Sequence, residues 1–210
     1  MDKKFAIFDM DGTLIDSMVF WKNLASEYLY SKGVCDIPAD ILEQIKPMTM
    51  SESAALFQQK FGLTGDPESE MNAMMDEHYR NDIPLKPGVW EYLWTLHSRG
   101  VRMCVASATA EHLMVDCLKR LGVLEYFAFL LSCETVGAGK RNPIVYHESA
   151  KRLGANPADI AVYEDALYAV RTAKDAGYFV IGVYDDSAKP NWQTITGLAD
   201  EIITNWEDAL

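Results

Sequence analysis

Phe5-Ala6-Ile7-Phe8-Asp9-Met10-Asp11-Gly12-Thr13 joins a short apolar run to an acidic, glycine-bearing turn. Four consecutive apolar residues closed by a turn are the mark of a strand buried on both faces. Similar apolar runs stand at residues 101–106, 127–131, 160–163, 179–183 and 201–204. Helical stretches separate most of them, at 110–121, 143–153 and 166–176, and Gly100, Gly122, Gly154 and Gly177 stand where helix C-caps need glycine. Buried strands alternating with helices predict an α/β fold, a Rossmann-like parallel sheet covered on both faces.

Residues 16–83 break that rhythm. No convincing strand occurs there, and apolar residues recur at helical spacing: Phe20, Leu24, Tyr28; Ile41, Leu42, Ile45; Met71, Met74, Met75. Breaks at 33–38, Pro47 and 62–67 divide the stretch into about four helices, a small bundle. Pro84 and Pro87-Gly88 return the chain to the α/β pattern. The expected organisation is therefore an α/β core of residues 1–15 and 84–210 with a helical cap, 16–83, inserted after the first strand.

The 210 residues are 49% hydrophobic and 24% charged, a composition with ample material for a core. No apolar run reaches the ~18 residues that a membrane helix requires, and the run at 5–8 is too short for a signal-peptide core. Four cysteines, Cys35, Cys104, Cys117 and Cys133, form neither a C-x-x-C pair nor a zinc spacing, so reduced thiols in a cytoplasmic protein are expected. Asp and Glu outnumber Lys and Arg by 31 to 19, a formal charge of −12. Such a chain repels a nucleic-acid backbone, and any phosphorylated substrate would need a local cation.

Ligands of open parallel sheets bind at the carboxyl ends of the strands. The first strand ends in Asp9 and Asp11, the second in Ser107-Ala108-Thr109, the fourth in Glu164-Asp165, and Gly137-Ala138-Gly139-Lys140 precedes a crossover helix. Two carboxylates about 4 Å apart repel by about 4 kcal/mol at an effective dielectric of about 20. Asp165 adds to that repulsion, and a hard divalent cation offsets it. Acids with few other ligands point to Mg²⁺. Ser107 and Lys140 then suit phosphoryl oxygens. Asp-x-Asp alone is also what a solvated turn contains; the order and spacing of all four pieces point to chemistry.

Asp9-Met10-Asp11-Gly12-Thr13-Leu14-Ile15-Asp16-Ser17 resembles the first motif of the haloacid dehalogenase superfamily. Ser107, Lys140 and Glu164-Asp165 resemble its second, third and fourth motifs, most closely in the phosphatase and β-phosphoglucomutase-like branch. The resemblance implies that Asp9 is the nucleophile and Asp11 the general acid/base. It implies that Mg²⁺ is held by Asp9, the Asp11 backbone carbonyl and Asp165, that Glu164 stands behind them or serves as an alternate ligand, and that Ser107 and Lys140 hold the phosphoryl group. The chain departs from the pattern at Ile144, Ala166 and Ala169, where the family often has Asp, Ser and Gly; the lost Asp and Ser usually orient the lysine and the metal site.

The expected activity is hydrolysis of a small phosphorylated metabolite. A sugar-phosphate mutase of the same branch and a non-catalytic binding protein on this fold stand as alternatives. Trp21, Lys46 and Met50, the last two within the loop 46–53, are the candidate substrate contacts of the cap. A mutase of that branch resembles this chain with an Arg at Met50 and a His at Trp21, so the cap favours a monophosphate with a neutral or partly apolar leaving group.

Overall fold

The computed structural model describes residues 3–45 and 48–209. Six strands form one sheet: β1 (Phe5–Phe8), β2 (Arg102–Ser107), β3 (Phe127–Ser132), β4 (Ile160–Glu164), β5 (Phe179–Val183) and β6 (Glu201–Ile203). Their spatial order is β3-β2-β1-β4-β5-β6, with every pairing parallel. β1 is central: Ile7 registers with Cys104 of β2 on one side and Val162 of β4 on the other. Chain order reverses between β1 and β4, the switch point at which sheets of this type bind ligands.

Helices α1 (Met18–Ser31), α2 (Ala39–Ile45), α3 (Met50–Phe61) and α4 (Pro67–Asn81) follow β1, and α5 (Val89–Ser98) leads into β2. The later crossovers carry α6 (Glu111–Arg120), α7 (Cys133–Val136), α8 (Ile144–Leu153), α9 (Leu167–Asp175) and α10 (Trp192–Leu198). Side chains alternate across the strands, so each face of the sheet builds its own core. One face packs Ile7, Cys104, Val162 and Val180 with Val145 and Tyr146 of α8 and Val170 and Ala173 of α9. On the other, Phe8 stacks on Tyr163 with centroids 4.1 Å apart, and Trp206 stacks on Tyr163 at 5.9 Å. Trp206 also donates its indole N–H to the Thr13 carbonyl at 3.2 Å, fastening the turn after β1 from beneath.

The chain divides into two compact units, Met1–Ser17 with Ile83–Leu210, and Met18–Asp82. Asp16, Ser17 and Ile83 thus fall in the α/β unit. Ile15 bridges Leu85, the Asp16 N–H donates to the Pro84 carbonyl at 3.0 Å, and the Lys86 N–H donates to the Leu14 carbonyl at 3.0 Å. In the helical unit, Thr49 and Glu52 form a reciprocal capping box at the start of α3, and Asp66 caps α4 ahead of Pro67. His78 of α4 sits between Glu27 of α1 and Asp82, at 3.0 and 2.7 Å. Among the described residues no helix is long and apolar enough to cross a membrane.

Helix α9 begins without a side-chain cap: Ala166 holds the cap position in extended backbone, φ −87° and ψ 125°. A serine adopts that conformation and can accept a bond from the first turn. Ala166→Ser is expected to stabilise the protein by about 0.5–1 kcal/mol, read as a rise of roughly 1–4 °C in Tm. An unchanged or lower Tm would show that the first turn of α9 gains nothing from a cap.

Candidate active site

The Asp9 N–H extends the β1–β4 ladder by donating to the Tyr163 carbonyl at 3.0 Å. The chain then turns sharply, and the N–H groups of Thr13, Leu14 and Ile15 all donate to the Met10 carbonyl. The turn needs left-handed backbone at Gly12, φ 77°, which only glycine adopts without strain.

Asp9, Glu164 and Asp165 are all buried, and one carboxylate oxygen from each lies within 4.8 Å of the others. Lys140, 5% exposed, reaches into the group. Its Nζ donates to Asp9 Oδ1 and, at 2.7 Å, to Glu164 Oε1. Tyr146 of α8 donates its hydroxyl to the same Glu164 oxygen at 2.7 Å. Burial alone would favour a neutral amine at Lys140, but the adjoining Asp9 and Glu164 carboxylates outweigh it and hold its pKa above the ordinary lysine value. Burial raises the Asp9 carboxyl; Lys140 opposes the rise and Asp11 adds to it. Burial and Asp9 carry Glu164 up to about 7 against the pull of Lys140. Asp165 is pushed well above the usual carboxylate range by burial and then by Asp9 and Glu164.

Three buried carboxylates against one ammonium leave an excess of negative charge, and the raised carboxyls express its cost. A divalent cation with oxygen preference fits this donor set, and these residues could hold one.

Asp11 lies two residues from Asp9 in a different environment. Its Oδ2 accepts from Thr109 Oγ1 at 2.5 Å and from Ser107 Oγ at 3.4 Å, both at the end of β2. The Thr109 N–H in turn donates to Ser107 Oγ at 3.1 Å. The structure therefore brings Asp9, Asp11, Ser107, Lys140, Glu164 and Asp165 to one edge of the sheet. The three grouped carboxylates are Asp9, Glu164 and Asp165; Glu164 is a full member of the group, while the Asp11 carboxylate stands outside it. Thr109 and Tyr146 are the contacts that sequence reasoning did not single out. Thr109 had a signal, a second hydroxyl two residues beyond Ser107; Tyr146 reads as one more residue on the apolar face of α8.

Ile144 is 43% exposed at the start of α8, and Ala169 is fully buried. In the helical unit, Trp21 donates its indole N–H to the Tyr79 hydroxyl at 3.2 Å. Trp21 and Met50 both line a cavity of about 770 Å³ together with Leu24, Met48 and Met71. Lys46 lies outside the described residues.

An acid cluster threaded by one lysine, at the switch point of a parallel sheet, has the make-up and position of a candidate active site for charged groups. The chain belongs to the haloacid dehalogenase-like hydrolase family, whose model matches residues 6–183. It is 26% identical to a phosphoglycolate phosphatase of Neisseria meningitidis, over 94% of this chain and 91% of that protein. It is 27% identical to a β-phosphoglucomutase of Bacillus subtilis, over 86% and 83%. Among solved structures, one described as a candidate β-phosphoglucomutase from Thermotoga maritima superposes with a TM-score of 0.82 at 23% identity, covering 97% of this chain and 95% of that one. That likeness concerns the fold.

Proposed function

We propose that the protein is a Mg²⁺-dependent phosphatase that hydrolyses a small phosphate monoester through an aspartyl-phosphate on Asp9. The observation that carries this reading is the separation of Asp9 from Asp11: one carboxylate sits in the acid cluster against Lys140, the other against two hydroxyls. Two carboxylates in two environments can take two roles. The phosphatase and mutase names of the relatives support phosphate-ester chemistry.

In the first half-reaction an Asp9 oxygen bonds to phosphorus, the ester P–O bond breaks, and Asp11 gives its proton to the departing alcohol oxygen. In the second, Asp11 takes a proton from water, the water oxygen bonds to phosphorus, and the Asp9–phosphorus bond breaks to release inorganic phosphate. Ser107 and Lys140 hold the non-bridging oxygens. Thr109 fixes the Asp11 carboxylate for both proton transfers. Asp9, Glu164, Asp165 and the Asp11 carbonyl would hold Mg²⁺, which when bound neutralises charge on the phosphoryl oxygens. The helical unit is read as the cap that selects the substrate, and the buried thiols Cys104, Cys117 and Cys133 are in keeping with a cytoplasmic enzyme.

Hydrolysis is favoured over a mutase reaction because Met50 and Trp21 stand where that branch has an arginine and a histidine for a second phosphate; Lys46 and Lys22, the latter lining the same cavity as Trp21 and Met50, are the cations that remain for one. Aryl phosphate hydrolysis is expected to require Mg²⁺ and to stop on chelation; undiminished turnover in excess EDTA would sink the metal assignment. β-Glucose 1-phosphate with a trace of glucose 1,6-bisphosphate separates the two chemistries. Inorganic phosphate is the expected product, and faster formation of glucose 6-phosphate would overturn the phosphatase reading.

A further inference from the structure

Glu164 Oε1 accepts from both Lys140 Nζ and the Tyr146 hydroxyl, each at 2.7 Å. Two donors use the lone pairs of that oxygen and leave Oε2 without a hydrogen bond among the described residues. From this arrangement we infer that Tyr146 is a positioning residue of the reaction: its hydroxyl fixes the Glu164 carboxylate, so that one oxygen anchors Lys140 and the other is kept for the cation. The inference rests on the phosphatase reading above and extends it to a residue on α8.

Packing alone does not call for this hydroxyl. The Tyr146 ring is fully buried and lies 5.9 Å from the Tyr178 ring, a place a phenylalanine would fill as well. The hydroxyl donates to Glu164 Oε1 at 2.7 Å, and that polar contact is what a phenylalanine would lose. The positions that open α8 and precede α9 give Glu164 no second donor. Ile144 opens α8 and Ala166 precedes α9, and neither has a group to donate. Without Tyr146 the carboxylate of Glu164 would be held by the lysine alone and could turn about its terminal bond. The lysine and the cation site would then lose their common reference point. Groups that orient a metal ligand typically change metal affinity or activity by about 10–100-fold when removed.

The test is Tyr146→Phe, which keeps the ring and deletes one oxygen. Mg²⁺ binding to the full chain is measured by calorimetry, and kcat and KM on an aryl phosphate at saturating Mg²⁺. The expected result is a Kd for Mg²⁺ weaker by about tenfold or more and a kcat several-fold lower, with KM changed by less than about twofold. In a Glu164→Gln background the same change should cost less than about twofold in Kd, because the group through which it acts has been altered. Equal costs in the two backgrounds would overturn the inference. So would a folded Tyr146→Phe protein with wild-type Kd and kcat, while wild type itself binds Mg²⁺ and releases phosphate. A Tyr146→Phe protein that does not fold would also overturn it, assigning the hydroxyl to stability. A wild-type protein that neither binds Mg²⁺ nor releases phosphate would instead fail the phosphatase reading, and this inference with it.

Discussion

Asp9→Asn is expected to abolish phosphate release, by a factor of at least about 10³, while raising the Tm of the metal-free protein. An amide oxygen is a poor nucleophile, and no other carboxylate can take over. Glu164 is tied to Lys140 and Tyr146, and Asp11 is held at β2 by Thr109 and Ser107. The stability gain has a separate cause. Asp9, Glu164 and Asp165 crowd buried negative charge around one ammonium; burial raises all three carboxyls, Asp11 adds to the rise at Asp9, and Asp9 adds to it at both Glu164 and Asp165. Deleting one charge relieves that repulsion, and the asparagine oxygen can still accept from Lys140. A rise of roughly 2–6 °C is the expected scale for relief of one to two kcal/mol in a chain of this size. Added Mg²⁺ should then stabilise the variant less than the wild type, since a ligand has been lost. Near-native kcat would rule out the covalent route, and a lowered Tm would show that the cluster is not electrostatically overloaded.

Asp185→Ala is expected to lower Tm by roughly 5–15 °C with little direct effect on chemistry. Asp185 is 5% exposed in the loop after β5. Its Oδ2 accepts from Lys86 Nζ at 2.7 Å, and its Oδ1 accepts from the Ser187 N–H and hydroxyl at 2.8 and 2.6 Å. Among the described residues, truncation leaves the Lys86 ammonium, 12% exposed, with the Tyr184 carbonyl at 3.0 Å as its one remaining hydrogen-bond partner. Stranding a buried charge in this way costs about 2–4 kcal/mol, because the ion keeps its desolvation and loses its partner. The effect depends on pH. Burial would raise the Asp185 carboxyl, but Lys86 and Ser187 outweigh it and hold its pKa below the ordinary value of 3.8. A depressed acid stabilises the fold above its unfolded pKa and loses that contribution as pH falls through the folded value. The gap between wild type and variant, measured by denaturant melts, should therefore be full at pH 7 and narrow below about pH 4. A gap that is constant down to pH 3 would contradict the ionic account.

Much of the α/β unit was legible because its signals are local. Apolar runs closed by turns mark the strands, and the acidic ends of β1 and β4 can be read from short stretches of chain. Errors of one residue arise where a turn runs into a strand: Val101 belongs to the close of α5, its N–H bonded to the Leu96 carbonyl, so β2 begins at Arg102. Strand order was not legible, since Phe5 pairs with Arg102 and Ile160, and pattern says nothing about which distant runs meet. The site divides in the same way. Asp9, Asp11, Ser107, Lys140 and Asp165 stand at strand ends or beside a turn, where chemistry is expected. Tyr146 lies inside a helix and joins the site through a hydroxyl on an otherwise apolar face. Thr109 was visible as a residue but not as a partner of Asp11, because that contact spans two strands.

The central place of β1 bears on how the chain is made. Phe5-Ala6-Ile7-Phe8 is synthesised well before its neighbours in the sheet, β2 and β4, whose last residues are Ser107 and Glu164. Throughout synthesis of the helical unit, this apolar segment has no strand to pair with, and contacts so distant in sequence form slowly. A segment of that kind is open to wrong pairing until its partners arrive. Glu164 and Asp165 emerge later still, so the nascent chain carries Asp9 without the acids that crowd it. Charge is concentrated at the site only after most of the sheet that confines it has been translated.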